Sequence, residues 1–166
     1  MPARSDTVAL VGITSTVALT DQLAKSLIVS AIGPGSSESR VELVDSWLAL
    51  EYTQNRGAAF GVLSGLGPIL AAASFAILAG LLLLYLRQAR PPLWQTAAIG
   101  LISGGALGNL IDRVRLGHVV DFLSVGLWPN FNIADSAITV GVLVLIWGLT
   151  RPATTIGAVR ATDQGS

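Results

Sequence analysis

The chain has 166 residues, of which 52% are hydrophobic and only 12% charged, and its formal net charge is zero. A water-soluble domain of this length cannot bury so much apolar surface, so part of it faces a bilayer, and the zero net charge gives no electrostatic case for nucleic acid. With no Cys and one His, His118, disulfides, thiolate nucleophiles, Cys-ligated metals and multi-His metal sites are excluded, and carboxylates, hydroxyls and Lys are left to carry the chemistry.

The first apolar segment runs from about Val8 to Ile28 and carries Asp21 and Lys25 near its far end. Its uncharged core, Thr7 to Thr20, also has the length of a cleaved signal peptide. The only positive residue before it is Arg4, however, and no small-x-small cleavage site precedes Asp21, so it is read as a retained helix. A polar region, about Gly33 to Gly57, follows. Gly33-Pro34-Gly35-Ser36-Ser37 signals a loop, and Val41-Glu42-Leu43 and Leu48-Ala49-Leu50-Glu51-Tyr52 read as short strands. These form either a surface flap or a small extracytoplasmic sheet that holds an extended peptide by strand pairing.

The second apolar segment has its core at about Pro68 to Leu86, the third runs from about Leu93 to Ile111, and the fourth from about Ile133 to Thr150. Each is near the roughly 20 residues a helix needs to cross a bilayer, and an open sheet cannot cross because its edges go unsatisfied. The expected architecture is an all-α integral membrane protein, a single domain over residues 1–166 with transmembrane helices at about 8–28, 68–86, 93–111 and 133–150. A β-structured region at about 33–57 completes it, with a polar, disordered tail over 151–166. Placing both termini on one side puts Arg4, Arg87, Arg90, Arg151 and Arg160 there, against Arg40, Arg56, Arg113 and Arg115 opposite. The positive-inside rule then narrowly favours cytoplasmic termini.

Ionisable residues at membrane depth are costly and therefore functional candidates. They gather in one run from Gly104 to Asp135. Asn109, Asp112 and Arg113 lie three and four residues apart, on one face at the outer end of the third helix. Asp121 stands in the connection that follows, between Val119-Val120 and Phe122, and Asp135 opens the fourth helix. The connection therefore brings Asp121 and Asp135 to the same membrane surface. Two carboxyl groups close together in a low-dielectric pocket hold one shared proton. The ionised partner takes a proton from water while the protonated one donates to a scissile carbonyl, which hydrolyses an amide without a covalent intermediate.

Each feature has a structural alternative. Asp135 suits a helix cap, Asp112 with Arg113 an interface anchor, Gly104 to Gly108 a helix-packing face, and Asp21 with Lys25 a neutralising i, i+4 pair. Asn55-Arg56-Gly57 suits a turn, and His118 a surface loop. Three rival functions remain open: a proton-conducting transporter, a Ser/Lys peptidase using Lys25 with Ser26 or Ser30, and a non-enzymatic assembly factor. The acids cluster at one surface rather than at midplane. Lys25 and Ser26 face different ways, and Ser30 is expected beyond the helix end.

Five stretches in order resemble lipoprotein signal peptidase (signal peptidase II), the bacterial membrane aspartic peptidase family. They are Asp21 to Lys25, Asn55 to Gly61, Gly104 to Arg113, Val119 to Phe122, and Phe131 to Ser136, and they span nearly the whole chain. The resemblance implies Asp121 and Asp135 as the catalytic pair. It implies that Asn55, Arg56, Gly57, Asn109, Asp112, Arg113 and Asn132 support substrate and active geometry, with Asp112 bracing Arg113 and with Asp21 and Lys25 supporting the fold. It further implies a bacterial inner-membrane enzyme without cofactor or metal, acting as a monomer. Its partners would be membrane lipid and a prolipoprotein with a diacylglyceryl group on its Cys, cut just before that Cys. The connection from Asp121 to Asp135 is shorter than in many members, and Ser124 to Asn130 must make the turn, with Trp128 at the interface.

Overall fold

The computed structural model describes residues 1–45, 47–57 and 67–150. Its elements run α1 (Arg4–Ile32), β1 (Arg40–Val44), β2 (Leu48–Asn55), α2 (Gly67–Leu86), α3 (Leu93–Leu116), β3 (Val119–Val125), β4 (Trp128–Phe131) and α4 (Ile133–Thr150). It is thus mostly helical, with one small antiparallel sheet in the order β1-β2-β3-β4. Ala58 to Gly61, part of the second resembling stretch, and the tail from Arg151 lie outside the described residues.

Helix ends follow local chemistry. In the first turn of α1, Asp6 accepts from the Ala3 backbone N–H at 3.1 Å, where an acid also suits the helix dipole. α3 starts after Pro91-Pro92 and stops at Gly117, whose φ of 74° is the left-handed cap that glycine takes most easily. The helix surfaces are inverted relative to a soluble protein. On α1, Leu19, Leu23 and Leu27 are 63–68% exposed, whereas Asp21 is fully buried and Lys25 3% exposed. Apolar side chains outward and charge inward is the arrangement a bilayer demands. α1 and α4 are long and apolar enough to cross a membrane, and Ser74–Leu86 of α2 is a shorter apolar stretch.

α3 is the central helix, and its small residues let both neighbours close on it. A Cβ on Gly104 would come within 2.6 Å of Val17 in α1. One on Gly105 would strike the Ala134 carbonyl oxygen of α4. One on Gly108 would lie 2.6 Å from the Asp21 carboxylate. These contacts draw the first turn of α4 and the polar turn of α1 against the same stretch of α3.

The sheet sits on the far end of α1, where Phe122 packs with Ile28 and Ile32. In the β2–β3 pairing Thr53 lies opposite Asp121 and Asn55 opposite Val119, so Asn55 and Asp121 are diagonal neighbours on one face. Val125 pairs with Trp128 across a tight turn at Gly126-Leu127, and Gly126 has the positive φ, 53°, that such hairpin turns require. Pro129, which cannot donate to a ladder, lies in the edge strand β4. Trp128 is 71% exposed.

Three features differ from the sequence reading. The stretch read as a plain connection between the third and fourth helices is the β3–β4 hairpin. Val119 to Phe122 are all buried, so the strand lacks the alternation that marks a one-sided one. α1 and α3 extend beyond their apolar cores, to Arg4–Ile32 and Leu93–Leu116, since helical hydrogen bonding continues through polar turns. Ser30 consequently lies within α1 rather than beyond it, donating to the Leu27 carbonyl at 2.8 Å.

The close approach of α3 and α4 makes a direct prediction. Gly105→Ala should destabilise the protein by about 1–3 kcal/mol through overpacking against the Ala134 carbonyl, read as a fall in thermal midpoint in detergent. An unchanged midpoint would mean that the two helices have room to separate.

Candidate active site

The site is assembled from five elements, beginning with a buried cation. Lys25 of α1 ion-pairs at 2.8 Å with Asp21, one turn back, and at 2.8 Å with Asp112 of α3. It also donates to Asn109 Oδ1 at 2.9 Å. Each carboxylate has a second task. Asp21 Oδ1 accepts the Ala134 backbone N–H at 2.9 Å, fixing the start of α4 to α1. Asp112 Oδ2 accepts the Val120 N–H at 3.1 Å, fixing β3 to α3. Gln22 crosses from α1 to donate to Asp112 Oδ1 at 2.9 Å and the Gly108 carbonyl at 3.1 Å.

On this base stand Asp121 of β3 and Asp135 of α4, whose donors among the described residues are amide N–H groups. Asp121 Oδ1 accepts from Asn132 Nδ2 at 2.7 Å and Oδ2 from Asn55 Nδ2 at 2.9 Å. The Asn55 carbonyl is turned the other way, accepting the Gly57 N–H at 3.1 Å. Asp135 Oδ1 accepts from Asn109 Nδ2 at 2.8 Å. Asn132, fully buried, closes the ring: its Oδ1 accepts the Asp135 N–H at 2.8 Å and its own N–H reaches Asp135 Oδ2 at 3.4 Å. That reciprocal exchange is a capping arrangement at the start of α4. Capping and membership of the acidic pair are therefore one structure, not alternatives.

Burial pushes the Asp121 carboxyl up to about 6, and the Asn55 hydrogen bond opposes this. The charge of Asp135 raises it further, while the Asn132 hydrogen bond and the charge of Lys25 hold it down. Asp121 thus holds its proton to a pH well above the ordinary carboxylate range, with the charge of Asp135 contributing.

Of the residues singled out from the sequence, Asn55, Gly57, Asn109, Asp112, Asn132, Asp21 and Lys25 join this network. The Asp112 oxygens are occupied by Lys25, Gln22 and the Val120 N–H, and Arg113 instead donates to the Asn109 carbonyl at 3.4 Å. The bracing of Arg113 by Asp112 is thus not the arrangement found; Asp112 points toward α1 and β3. Arg56 is exposed and donates to Gln54 at 3.2 Å. Ser26 and Ser30 are exposed whereas Lys25 is buried, which separates the parts a Ser/Lys mechanism would join. The sequence reading gave Gln22 no role, although it lies between Asp21 and Lys25. A long amide one residue from a buried acid was the available signal. Among the described residues, no group of three or more His, Asp or Glu is placed to hold a metal ion.

Residues 13–151 match the family model described as signal peptidase (SPase) II. The chain belongs to the signal peptidase II family. Every residue of the network from Asp21 to Asp135 falls inside that match. Lipoprotein signal peptidase of Halothermothrix orenii is 41% identical over 130 residues, which cover 78% of this chain and 87% of the relative. That of Moorella thermoacetica is 42% identical, covering 80% and 87%. Among solved structures, a bacterial membrane enzyme superposes with a TM-score of 0.79 at 33% identity, covering 92% of this chain and 93% of the other. The chain is accordingly an aspartic-type peptidase of the membrane.

The raised Asp121 carboxyl predicts a pH dependence. The pair keeps its shared proton until pH rises through a group titrating near 6, so kcat/KM should have its alkaline limb well above the ordinary carboxylate range. A pH–rate profile in detergent or membranes checks this. A limb near 4 would mean that the two aspartates titrate as isolated carboxyls.

Proposed function

We propose that the protein removes signal peptides from prolipoproteins already carrying a diacylglyceryl group on their Cys, cutting just before that Cys with a water activated between Asp121 and Asp135. The observation that carries this reading is the pair of carboxylates, Asp121 buried and Asp135 half-buried, whose hydrogen-bond donors among the described residues are all amide N–H groups, at the point where α3, the sheet and α4 meet. In the proposed reaction the ionised carboxylate takes a proton from water while the protonated one donates to the scissile carbonyl oxygen. Hydroxide adds to the carbonyl carbon, giving a tetrahedral diol. A proton then passes to the amide nitrogen, the C–N bond breaks, and the new acid and amine leave while the pair recovers its single proton.

Membrane depth suits this chemistry. The substrate's lipid chains remain in the bilayer, and the bond beside the lipidated Cys is carried to the outer helix ends. The extended peptide would lie along the sheet above Asp121. The proposal includes all four helices spanning the bacterial inner membrane, both termini in the cytoplasm, and a single domain acting as a monomer in contact with lipid. The arginine distribution and the outward-facing leucines of α1 support it. Asn55, Asn109, Arg113 and Asn132 would position the pair and the substrate backbone, with Arg56 and Gly57 beside them.

Asp121→Asn and Asp135→Asn should each lower cleavage of a diacylated prolipoprotein by at least roughly 1000-fold while leaving the folded protein in the membrane, since each removes one half of the acid–base couple. Normal turnover by either variant would sink the assignment. Precursor lacking the diacylglyceryl group should be cut far more slowly than its lipidated form. Equal rates would remove the lipid from the recognition.

A further inference from the structure

Lys25 stands apart from the reacting groups in the proposed mechanism, yet it begins a chain of oriented hydrogen bonds that ends on both carboxylates. An ammonium has three N–H donors and no acceptor. Here its partners are Asp21 Oδ2 at 2.8 Å, Asp112 Oδ2 at 2.8 Å and Asn109 Oδ1 at 2.9 Å. A donor-only group at one end of the Asn109 side chain requires that end to be the carbonyl. Its NH2 is then forced toward Asp135, at 2.8 Å. The same Asn109 carbonyl accepts at 3.2 Å from Asn132 Nδ2. That nitrogen also lies 2.7 Å from Asp121 Oδ1. The other end of Asn132 is fixed as carbonyl by the Asp135 N–H.

The direction of these amides matters chemically. If either were turned round, it would offer its carbonyl oxygen to a carboxyl group. The acidic proton of the pair would then be donated into the protein, away from the substrate. With both amides presenting N–H, that proton has no acceptor among them and stays available to the scissile carbonyl.

We infer that Lys25 is a positioning residue for catalysis: its ammonium holds the Asn109 amide, and with the Asp135 N–H secures the Asn132 amide bonded to it, in the one orientation that keeps the shared proton of Asp121 and Asp135 directed at the substrate. This rests on the dyad reading above and goes beyond a role for Lys25 in fold support. The charged groups facing it are Asp21 from α1 and Asp112 from α3. Beyond the two amides lie Asp135 from α4 and Asp121 from β3, and Arg113 donates to the Asn109 backbone carbonyl. The charge of Lys25 is the smallest of the influences on Asp121 and lowers its proton affinity, so removing Lys25 raises that affinity.

The test compares Lys25→Met and Lys25→Gln with the wild-type chain in cleavage of a diacylated prolipoprotein across pH. Lys25→Met should lower kcat roughly 100-fold, leave KM within about twofold, and displace the alkaline limb of the kcat/KM profile upward. Lys25→Gln, which keeps an N–H donor but not the charge, should recover part of kcat while the profile stays displaced. Should these variants fail to fold, adding Asp21→Asn removes one of the two carboxylates left unpaired. The wild-type enzyme offers an independent reading. With 15N-labelled asparagine, the Asn109 side-chain NH2 resonances should shift with the same pH midpoint as kcat/KM. A purely structural lysine would lower the yield of folded enzyme without changing kcat per folded molecule or moving the profile. That result, or Asn109 resonances flat across the limb, overturns the inference. Wild-type enzyme that fails to cleave at all overturns the proposed function instead.

Discussion

A buried lysine cannot be left alone at membrane depth, and much of this fold can be read as the means of keeping Lys25 company. Its two carboxylate partners and one amide come from two helices, and the carboxylates in turn hold the backbone N–H groups of Ala134 in the first turn of α4 and of Val120 in β3. Four elements are thereby fixed to one charge. Removing one member of a buried ion pair typically costs about 3–5 kcal/mol, because the other is left uncompensated. The glycines of α3 make this closeness possible. Gly108 in particular leaves the space that the Asp21 carboxylate occupies.

What the charge cluster organises lies one layer farther out. Asn109 and Asn132 form a neutral layer between the ionic base and the two aspartates, while Asn55 holds Asp121 from the sheet side. The layer explains how Asp121 can be buried, with Asp135 half-buried beside the start of α4, without a cation in direct contact. Amide donors favour the ionised form modestly, burial opposes it, and the balance leaves Asp121 near 6. A direct ion pair to Lys25 would hold such a carboxyl ionised and remove its use as an acid. The separation of Lys25 from the aspartates by a layer of amides thus fits proton transfer better than it fits simple charge balance.

The sequence revealed the charged positions more readily than their wiring. Asp21, Lys25, Asn109, Asp112 and Asp135 stand out because ionisable and amide residues are rare in apolar helices, Asp121 because it is flanked by Val119-Val120 and Phe122, and helical spacing alone places Asn109 and Asp112 on one face. The i, i+4 pairing of Asp21 with Lys25 was also legible. The β3–β4 hairpin was not, because a strand buried on both faces has no alternation to read and Gly126-Leu127 is a weak turn signal. Nor could spacing show that Asp112 turns toward Lys25 and the Val120 N–H rather than toward its neighbour Arg113. That choice is made by long-range packing of α1 on α3. Gln22 escaped notice for the same reason, since its partners are 86 and 90 residues away.

The proposed mechanism requires Asp121 and Asp135 to act together on one substrate atom. The most direct measurement is a crystal structure with a lipidated peptide analogue whose scissile carbonyl is replaced by a hydroxyl-bearing carbon. The hydroxyl should lie within hydrogen-bond distance of both carboxylates, with the Asn109 and Asn132 amides still turned toward them. A hydroxyl bound by one aspartate alone, or by neither, would contradict that mechanism.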